Sequence, residues 1–394
     1  MATCHRWFSL LADRTSDVPA SEIRKIFNMI IGRSDILDLT VGVPDFDTPE
    51  HIKQAAKDAI DGGFTRYTHN AGYIQTREAF AEKFKRDNGI DADPISGIMM
   101  TAGGMGALVL ANLVLVNPGD EVLYPDPGFV CHHAQAKLAQ GVPVPVPLRK
   151  EAGFGVLAED VEDRITDKTK LLVLNSPNNP TGGVISNSEL KKIADLCIEN
   201  DIYVLDDEAY EKFRYDNEKP VFIGALPGMK ERTVSLFSMS KSYAMTGWRI
   251  GACVGPSDII GAMTKLQEHV IAMPTSISQK AAEAAVSGPQ DCVEEMLATF
   301  RRRRDIITKG LASIEGLDVQ PPGGAFYVFP DVSAYGMKSY DLVIKILEET
   351  KVATVHGSAF GAHGEGFIRI CYAVSTERIE EALSRLDSFL PKLL

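Results

Sequence analysis

Ser238-Met239-Ser240-Lys241 puts a lysine at the polar end of the apolar run TVSLFSMSK, just after two hydroxyls. Desolvation or a neighbouring cation lowers a lysine's pKa and frees the neutral amine to form an imine with a carbonyl. The tetrapeptide alone equally fits a lysine that caps a loop. Asp206-Asp207-Glu208-Ala209-Tyr210 closes the preceding apolar run. A carboxylate at such a tip can hydrogen-bond a pyridine nitrogen and keep it protonated, which makes the ring an electron sink. A phenol three residues later, Tyr210, can reach a ring oxygen beside the imine. Taken singly, a D-E-x-Y segment is an ordinary solvated strand end.

Three further segments carry complementary groups. Asn178-Asn179-Pro180-Thr181-Gly182 offers an amide donor on a tight turn, although Asn, Pro and Gly also dominate turns for backbone reasons. Thr101-Ala102-Gly103-Gly104-Met105-Gly106 opens a helix. Glycines let backbone N–H groups approach a phosphate, and a helix N-terminus favours an anion. The segment does not follow the G-x-G-x-x-G spacing. Arg249 lies eight residues beyond Lys241 and can give a phosphate a bidentate partner, or simply form a surface ion pair.

The elements that must position these groups follow from periodicity. A strand is expected near Ile98 to Thr101, then the helix ALVLANLVLV. GDEVLYPDP, KLLVLNSPNNP, IYVLDDEAY and TVSLFSMSK are compact apolar runs that turn polar at their C-terminal ends, with helical stretches such as NSELKKIADLCIEN between them. This rhythm predicts an α/β unit with a mostly parallel sheet, whose ligands bind at the carboxyl ends of the strands. From about Gln290 the pattern changes to a long charged helix, a PPGGAFYVFP strand, a second helix, a strand ending in FIRICYA and a final helix. That reads as a separate α+β unit. The residues up to about Pro49 lack a core of their own and are expected to pack with it.

At this point the constellation NPTG, DEAY, SMSK and GWRIG, in that order, resembles the class I/II aminotransferases of the fold-type-I pyridoxal-phosphate family. The resemblance runs from LTVGVPDFDTP to FIRICYA, nearly the whole chain, and is closest to the aspartate/aromatic/alanine group. It implies a large α/β/α domain with a mostly parallel seven-stranded sheet over 50–287 and a smaller α+β domain from 1–49 and 288–394. It implies that Lys241 is the Schiff-base lysine, Asp207 the pyridinium partner, and Tyr210 and Asn179 the ring-oxygen contacts. Ser238, Ser240 and Arg249 match the phosphate cup, with the backbone of Gly103, Gly104 and Met105. Phe129, in PDPGF, matches the aromatic that stacks on the ring. Tyr67, in RYTHNAG, matches a tyrosine that reaches the phosphate of the neighbouring subunit, which implies a homodimer. Arg369 matches the fork for the substrate α-carboxylate, with Gly42 beside it.

The chemistry implied is ping-pong transamination between an L-amino acid and a 2-oxo acid, with Lys241 moving the α-proton. A β-lyase or racemase would begin with the same proton abstraction, and a non-catalytic sensor domain is a remoter alternative. Two departures from the family pattern stand out. His132, in Phe129-Val130-Cys131-His132, can hydrogen-bond Asp207 and tune the ring charge, or be a packed polar side chain. His356, in His356-Gly357-Ser358-Ala359-Phe360-Gly361, replaces a proline near the carboxylate site and either alters a loop or touches substrate.

The rest of the sequence bounds the partners. A net charge of -12 repels nucleic acid and anionic membranes, so neither is an expected partner. The six cysteines are scattered without a C-x-x-C pair and read as free thiols, and no metal site is expected. The N-terminal stretch MATCHRWFSLLADR is too short for a signal peptide or span, so a cytoplasmic location is the default. Arg301 to Arg304 read as a solvated helix face, and Gly357 to Gly366 as a glycine-rich loop without phosphate-loop spacing.

Overall fold

The computed structural model describes residues 11–215 and 218–394; the start of the N-terminal apolar stretch, residues 1–10, lies outside the described residues. The described strands are β1 (Leu37–Asp38), β2 (Ile98–Thr101), β3 (Glu121–Asp126), β4 (Val142–Pro147), β5 (Thr169–Asn175), β6 (Tyr203–Asp207), β7 (Thr233–Ser238), β8 (Gly251–Val254), β9 (Tyr327–Val328), β10 (Val352–Ala353), β11 (Val355–His356) and β12 (Ile368–Cys371). Seven of them form one sheet in the order β2-β8-β7-β6-β5-β3-β4. All run parallel except β8, which is antiparallel to both β2 and β7. The mostly parallel α/β reading therefore holds.

The apolar runs are continuous because both faces of the sheet are covered. Along β5, Leu172 and Leu174 face the helix Asn187–Glu199, whose Leu190 and Ile193 share their core. Leu171 and Val173 point the other way, against Leu108 and Ala111 of the helix Gly103–Leu115. Alternation with a period of two thus makes a three-layer α/β/α unit.

Five sheet strands were legible as apolar runs; β4 and β8 were not. β8 is a four-residue segment hidden in GWRIGACVG. β4 reads VPVPVP, and proline is expected to break a sheet. It survives because β4 is the edge strand and its prolines fall on alternate positions. Val142 N–H donates to Asp120 O at 2.8 Å and Leu148 N–H to Asp126 O at 2.8 Å. The residues in phase with them pair with β3. Pro143, Pro145 and Pro147 are out of phase and face the open edge, where no donor is needed.

The C-terminal elements form a second cluster. β11, β12 and β9 make a three-stranded antiparallel sheet. The helix Asp291–Ala312 buries Phe300, Ile307 and Leu311 on it. β1 pairs with β10 in parallel, and Ile26, Leu37 and Leu39 join the same core, so the N-terminal segment packs here. One reading is corrected. Arg303 is not part of a solvated face: it lies three residues from Phe300 and four from Ile307, on the buried side of the helix. Its guanidinium grips Asp45 in two hydrogen bonds of 2.6 and 2.8 Å. Loop 357–366 is structural too: Asp126, at the tip of β3, accepts from the N–H groups of Ala362 and His363 at 3.2 Å.

The edge-strand argument is testable by chemical denaturation. Val144→Pro removes a donor that bonds β3 and should cost about 3 kcal/mol, whereas Pro145→Val should stay within about 1 kcal/mol of the parent. Equal costs would contradict the assigned phase.

Candidate active site

The carboxyl ends of the central strands open on one cavity of about 520 Å³, lined by residues from β5, β6, β7 and the segments after β2 and β3. Gly42, Tyr327 and Arg369, from the other cluster, form the opposite wall. Lys241 sits in the four-residue helix Met239–Ser242 that follows β7, and Ser238 caps it by accepting from the N–H of Ser240 at 3.2 Å. The turn swings the lysine across the cavity, where its Nζ donates to Gly42 O at 2.5 Å. Burial lowers its pKa from the ordinary 10.5 to about 8, and the Arg369 and Arg249 guanidinium groups push the same way. A neutral amine is thus accessible near physiological pH.

Asp207, the last residue of β6, is buried. Its Oδ2 lies 3.1 Å from Nε2 of His132, and its Oδ1 accepts from the N–H of Ala209 at 3.2 Å. His132 is carried by the helix Val130–Leu138 directly after Phe129, whose ring meets the imidazole edge-on at 5.6 Å. His132 and Asp207 are thereby brought together, as the sequence allowed. Asn175 steadies both neighbouring strand ends: its Nδ2 donates to Asp207 O at 2.9 Å, and its Oδ1 accepts from Asn179 N–H at 3.0 Å.

Arg369 stands on β12 between the rings of Tyr327 and Phe360, 4.6 and 4.7 Å from their centroids. It donates to Asn179 Oδ1 at 2.9 Å and to Thr40 O, while its Nε is buried with no hydrogen-bond partner among the described residues. An orphaned charged donor deep in a cavity is costly unless a ligand engages the guanidinium. Tyr210 OH and Tyr327 OH hydrogen-bond at 2.8 Å. Gly42 is required here, because a Cβ would overlap the Tyr327 hydroxyl.

Gly103, Gly104 and Met105 begin the helix Gly103–Leu115, facing Ser238, Ser240 and Arg249. Gly103 has φ +69°, and a Cβ on it would lie 2.8 Å from the Arg249 guanidinium. Arg249 itself holds φ +51° and donates to Thr246 O at 3.0 Å. Free N–H groups at a helix start, two hydroxyls and a guanidinium form a donor set suited to a phosphate. A dry lysine, a buried carboxylate and this cradle together fit pyridoxal phosphate. Among the described residues, no group of three or more His, Cys, Asp or Glu is placed to hold a metal ion, and no helix is long and apolar enough to cross a membrane.

Tyr67, expected to act across a subunit interface, and His356, read either as altering a loop or as touching substrate, stand outside the cavity of their own chain. Tyr67 is 88% exposed and does not line the cavity. His356 is buried under Tyr340, with Nδ1 2.8 Å from Ser358 Oγ, and also does not reach the cavity. Sequence reasoning missed Tyr327, Thr40, and Ile23, Arg24 and Phe27 of the helix Glu22–Ile30, all of which line the cavity. PPGGAFYVFP was legible only as a strand, and nothing local marks which of its aromatics faces the site. SEIRK was legible in principle as a capped helix start, Ser21 accepting from Arg24 N–H at 3.3 Å.

Residues 34–386 match the family described as Aminotransferase class I and II. Aromatic-amino-acid aminotransferase 2 of Thermococcus litoralis is 42% identical over 382 residues, covering 96% of this chain and 98% of that protein. An aspartate aminotransferase of Pyrococcus abyssi is 43% identical over 382 residues, with 96% and 98% covered. The crystal structure of an aromatic aminotransferase from Pyrococcus horikoshii superposes with a TM-score of 0.90 at 41% identity, covering 94% of this chain and all of that one.

The Lys241 pKa has a consequence for stability. In the cofactor-free protein its folded pKa lies below its unfolded one, so the unfolded state binds the proton more readily. The amine therefore destabilises the fold fully below about pH 8, and the penalty is relieved as pH rises from there towards 10.5. Cofactor-free Lys241→Met should melt above the parent at pH 7, with the gap narrowing at pH 9 to 10. A gap that widened with pH would refute the buried-amine description.

Proposed function

The chain belongs to the class I and II aminotransferase family and is a transaminase acting on amino and 2-oxo acids; from that premise we propose the part each residue plays. The family is generally dependent on pyridoxal phosphate, and in our reading this chain holds it in the cavity described. When bound, that group supplies an electron sink for the pair released at the substrate α-carbon.

The observation that carries the reading is the convergence of Lys241, Asp207 and Arg369 on one cavity. Lys241 would anchor the cofactor through its aldehyde carbon. Its Nζ, with a pKa brought to about 8 by burial, is the base that would take the proton from the substrate α-carbon. Asp207 would keep the cofactor's ring nitrogen protonated, and His132 holds that carboxylate in place at 3.1 Å. Asn179 and Tyr210 would donate to the cofactor's ring oxygen, and Phe129 would cover its ring. Ser238, Ser240, Arg249 and the N–H groups from Gly103 to Met105 hold the phosphate. Arg369 receives the α-carboxylate beside Asn179, with Gly42 lining the same wall.

We place the large unit at 50–287 and the small one at 1–49 with 288–394; the shared core of Ile26, Leu37 and Leu39 with the C-terminal elements supports this. The names of the relatives point to aspartate and aromatic amino acids as donors. The homodimer common in the family would carry Tyr67 to the neighbouring site, and its 88% exposure supports that placement.

Lys241→Ala should keep the fold and lose amino-group exchange by roughly a thousandfold or more. Wild-type protein given amino acid plus 2-oxoglutarate should form a new amino acid. Ammonia and pyruvate from a β-substituted donor, with no new amino acid, would instead mark a lyase.

The shared-site reading has its own test. Lys241→Ala and Tyr67→Ala chains, dissociated and reassociated together, should regain activity above either parent, since hybrids contain one site with both wild-type residues. Additive, unrescued activities would place Tyr67 outside the site.

A further inference from the structure

We propose that Arg303, on the helix Asp291–Ala312, is a positioning residue for the proton-transferring amine: through Asp45 it holds the strap 42–48 against Lys241. The proposal deepens the transaminase reading and rests on it for the role of Lys241.

Both ends of the strap are hydrogen-bonded to the turn that carries the lysine. At its start Gly42 O accepts from Lys241 Nζ at 2.5 Å. At its end Thr48 Oγ1 donates to Ala244 O at 2.7 Å and accepts from Trp248 Nε1 at 3.0 Å. The middle is gripped from the other cluster. Asp45 takes both arms of the Arg303 guanidinium, at 2.6 and 2.8 Å, a two-point contact that fixes orientation as well as distance. Beside it Phe46 meets Phe300 edge-on at 5.5 Å, and the guanidinium lies 5.6 and 5.8 Å from the centroids of those two rings. Arg303 is 7% exposed, so little water competes for the fork.

A hold on Asp45 reaches Gly42 because the link between them is short and stiff. Pro44 has a fixed φ and restricts Val43, whose N–H donates to Val41 O at 3.0 Å. Gly42 has no slack of its own, since a Cβ there would overlap the Tyr327 hydroxyl. A strap tied only at its ends can bow outward and admit water to Nζ; one pinned at its middle cannot. Burial is the largest cause of the lowered Lys241 pKa, so water admitted at Gly42 raises it and leaves less neutral amine at neutral pH. A displaced Gly42 carbonyl also frees Nζ from one orientation, and misplacing a reacting group by about 1 Å can cost about 100-fold in rate. Arg369, Arg249 and Asp207, with Cys371, Tyr210 and Tyr327, are the other charged and titratable groups around Nζ.

The test uses the full chain with Arg303→Met and Asp45→Asn, which leave those neighbours of Nζ unaltered. Methionine keeps an apolar stem against Phe46 and Phe300, and the partly exposed Asp45 can be hydrated, so the fold should persist. In the cofactor-free chain, acetic anhydride labels the neutral form of Lys241, and the mass of its peptide reads the labelling rate against pH. The parent should reach half its maximal rate near pH 8, and both variants about one unit higher, an about tenfold loss of neutral amine at pH 7. In the holoenzyme kcat should fall by about tenfold, by the same factor with aspartate and with phenylalanine, because the amine serves both. Half-labelling at the parent's pH in both variants overturns the proposal, whether or not they melt earlier, since a merely structural fork would lower the melting temperature alone. A loss of kcat confined to one donor also overturns it, because the fork would then act on the substrate side chain. The labelling needs no turnover, so a parent chain that exchanged no amino groups would defeat the transaminase reading while the labelling still decided this one.

Discussion

An amine that must be both reactive and reachable sets the terms for this structure. Solvated, Lys241 would be protonated at neutral pH and inert as a nucleophile. Burial brings it to about 8, which requires walls on several sides. The sheet supplies one side through the end of β7. The other comes from Gly42, whose carbonyl accepts from Nζ, and from Tyr327, which packs so closely on Gly42 that no side chain fits there. The two clusters of the fold meet at this lysine, so its environment exists only when both are folded and packed together.

Dryness imposes a second requirement, that each buried charge have a partner. Asp207 has His132 and a backbone N–H. Behind the site, Lys83 is buried and bonded to Glu211 at 2.5 Å and to Asn88 at 2.8 Å, while Asn88 closes the ring by donating to Glu211. Burial pushes Asp206 and Glu208 upward, which favours their neutral forms beside that cluster. Asp206 and Asp207 are consecutive and point to opposite faces of β6, so one belongs to this inner layer and the other to the cavity. Among the described residues that line the cavity, Arg369 keeps one buried donor, Nε, without a partner. The unmet need lies where an acid is expected to bind.

What the sequence made legible follows from this geometry. Groups at the ends of parallel strands became legible when several such ends were taken in order, since each motif alone also fits an ordinary strand end or turn; Asn179, Asp207 and Lys241 belong to this class. Tyr327 and Thr40 sit on short strands or loops of the second cluster, where neither run length nor alternation marks the inward residue. Arg303 misled because four consecutive arginines suggest a solvated face, although a period of 3.6 must turn one of them inward. Its partner Asp45 is 258 positions away, beyond any local pattern. β4 was hidden because its prolines contradict strand propensity, and only knowledge of the edge position and phase reverses that.

The same geometry divides the labour of the site. Side chains assigned to the cofactor stand on the seven-stranded sheet and the turns that leave it, where strand register fixes their spacing. Side chains assigned to substrate come from the segment 21–43, from β9 and from β12, which share one core through β1, β10 and Ile26. The strand that carries Asp207 and the turn that carries Lys241 lie outside that core. The division is not complete: Gly42, on the substrate wall, accepts from Lys241 Nζ and packs against Tyr327, so both walls keep the amine dry.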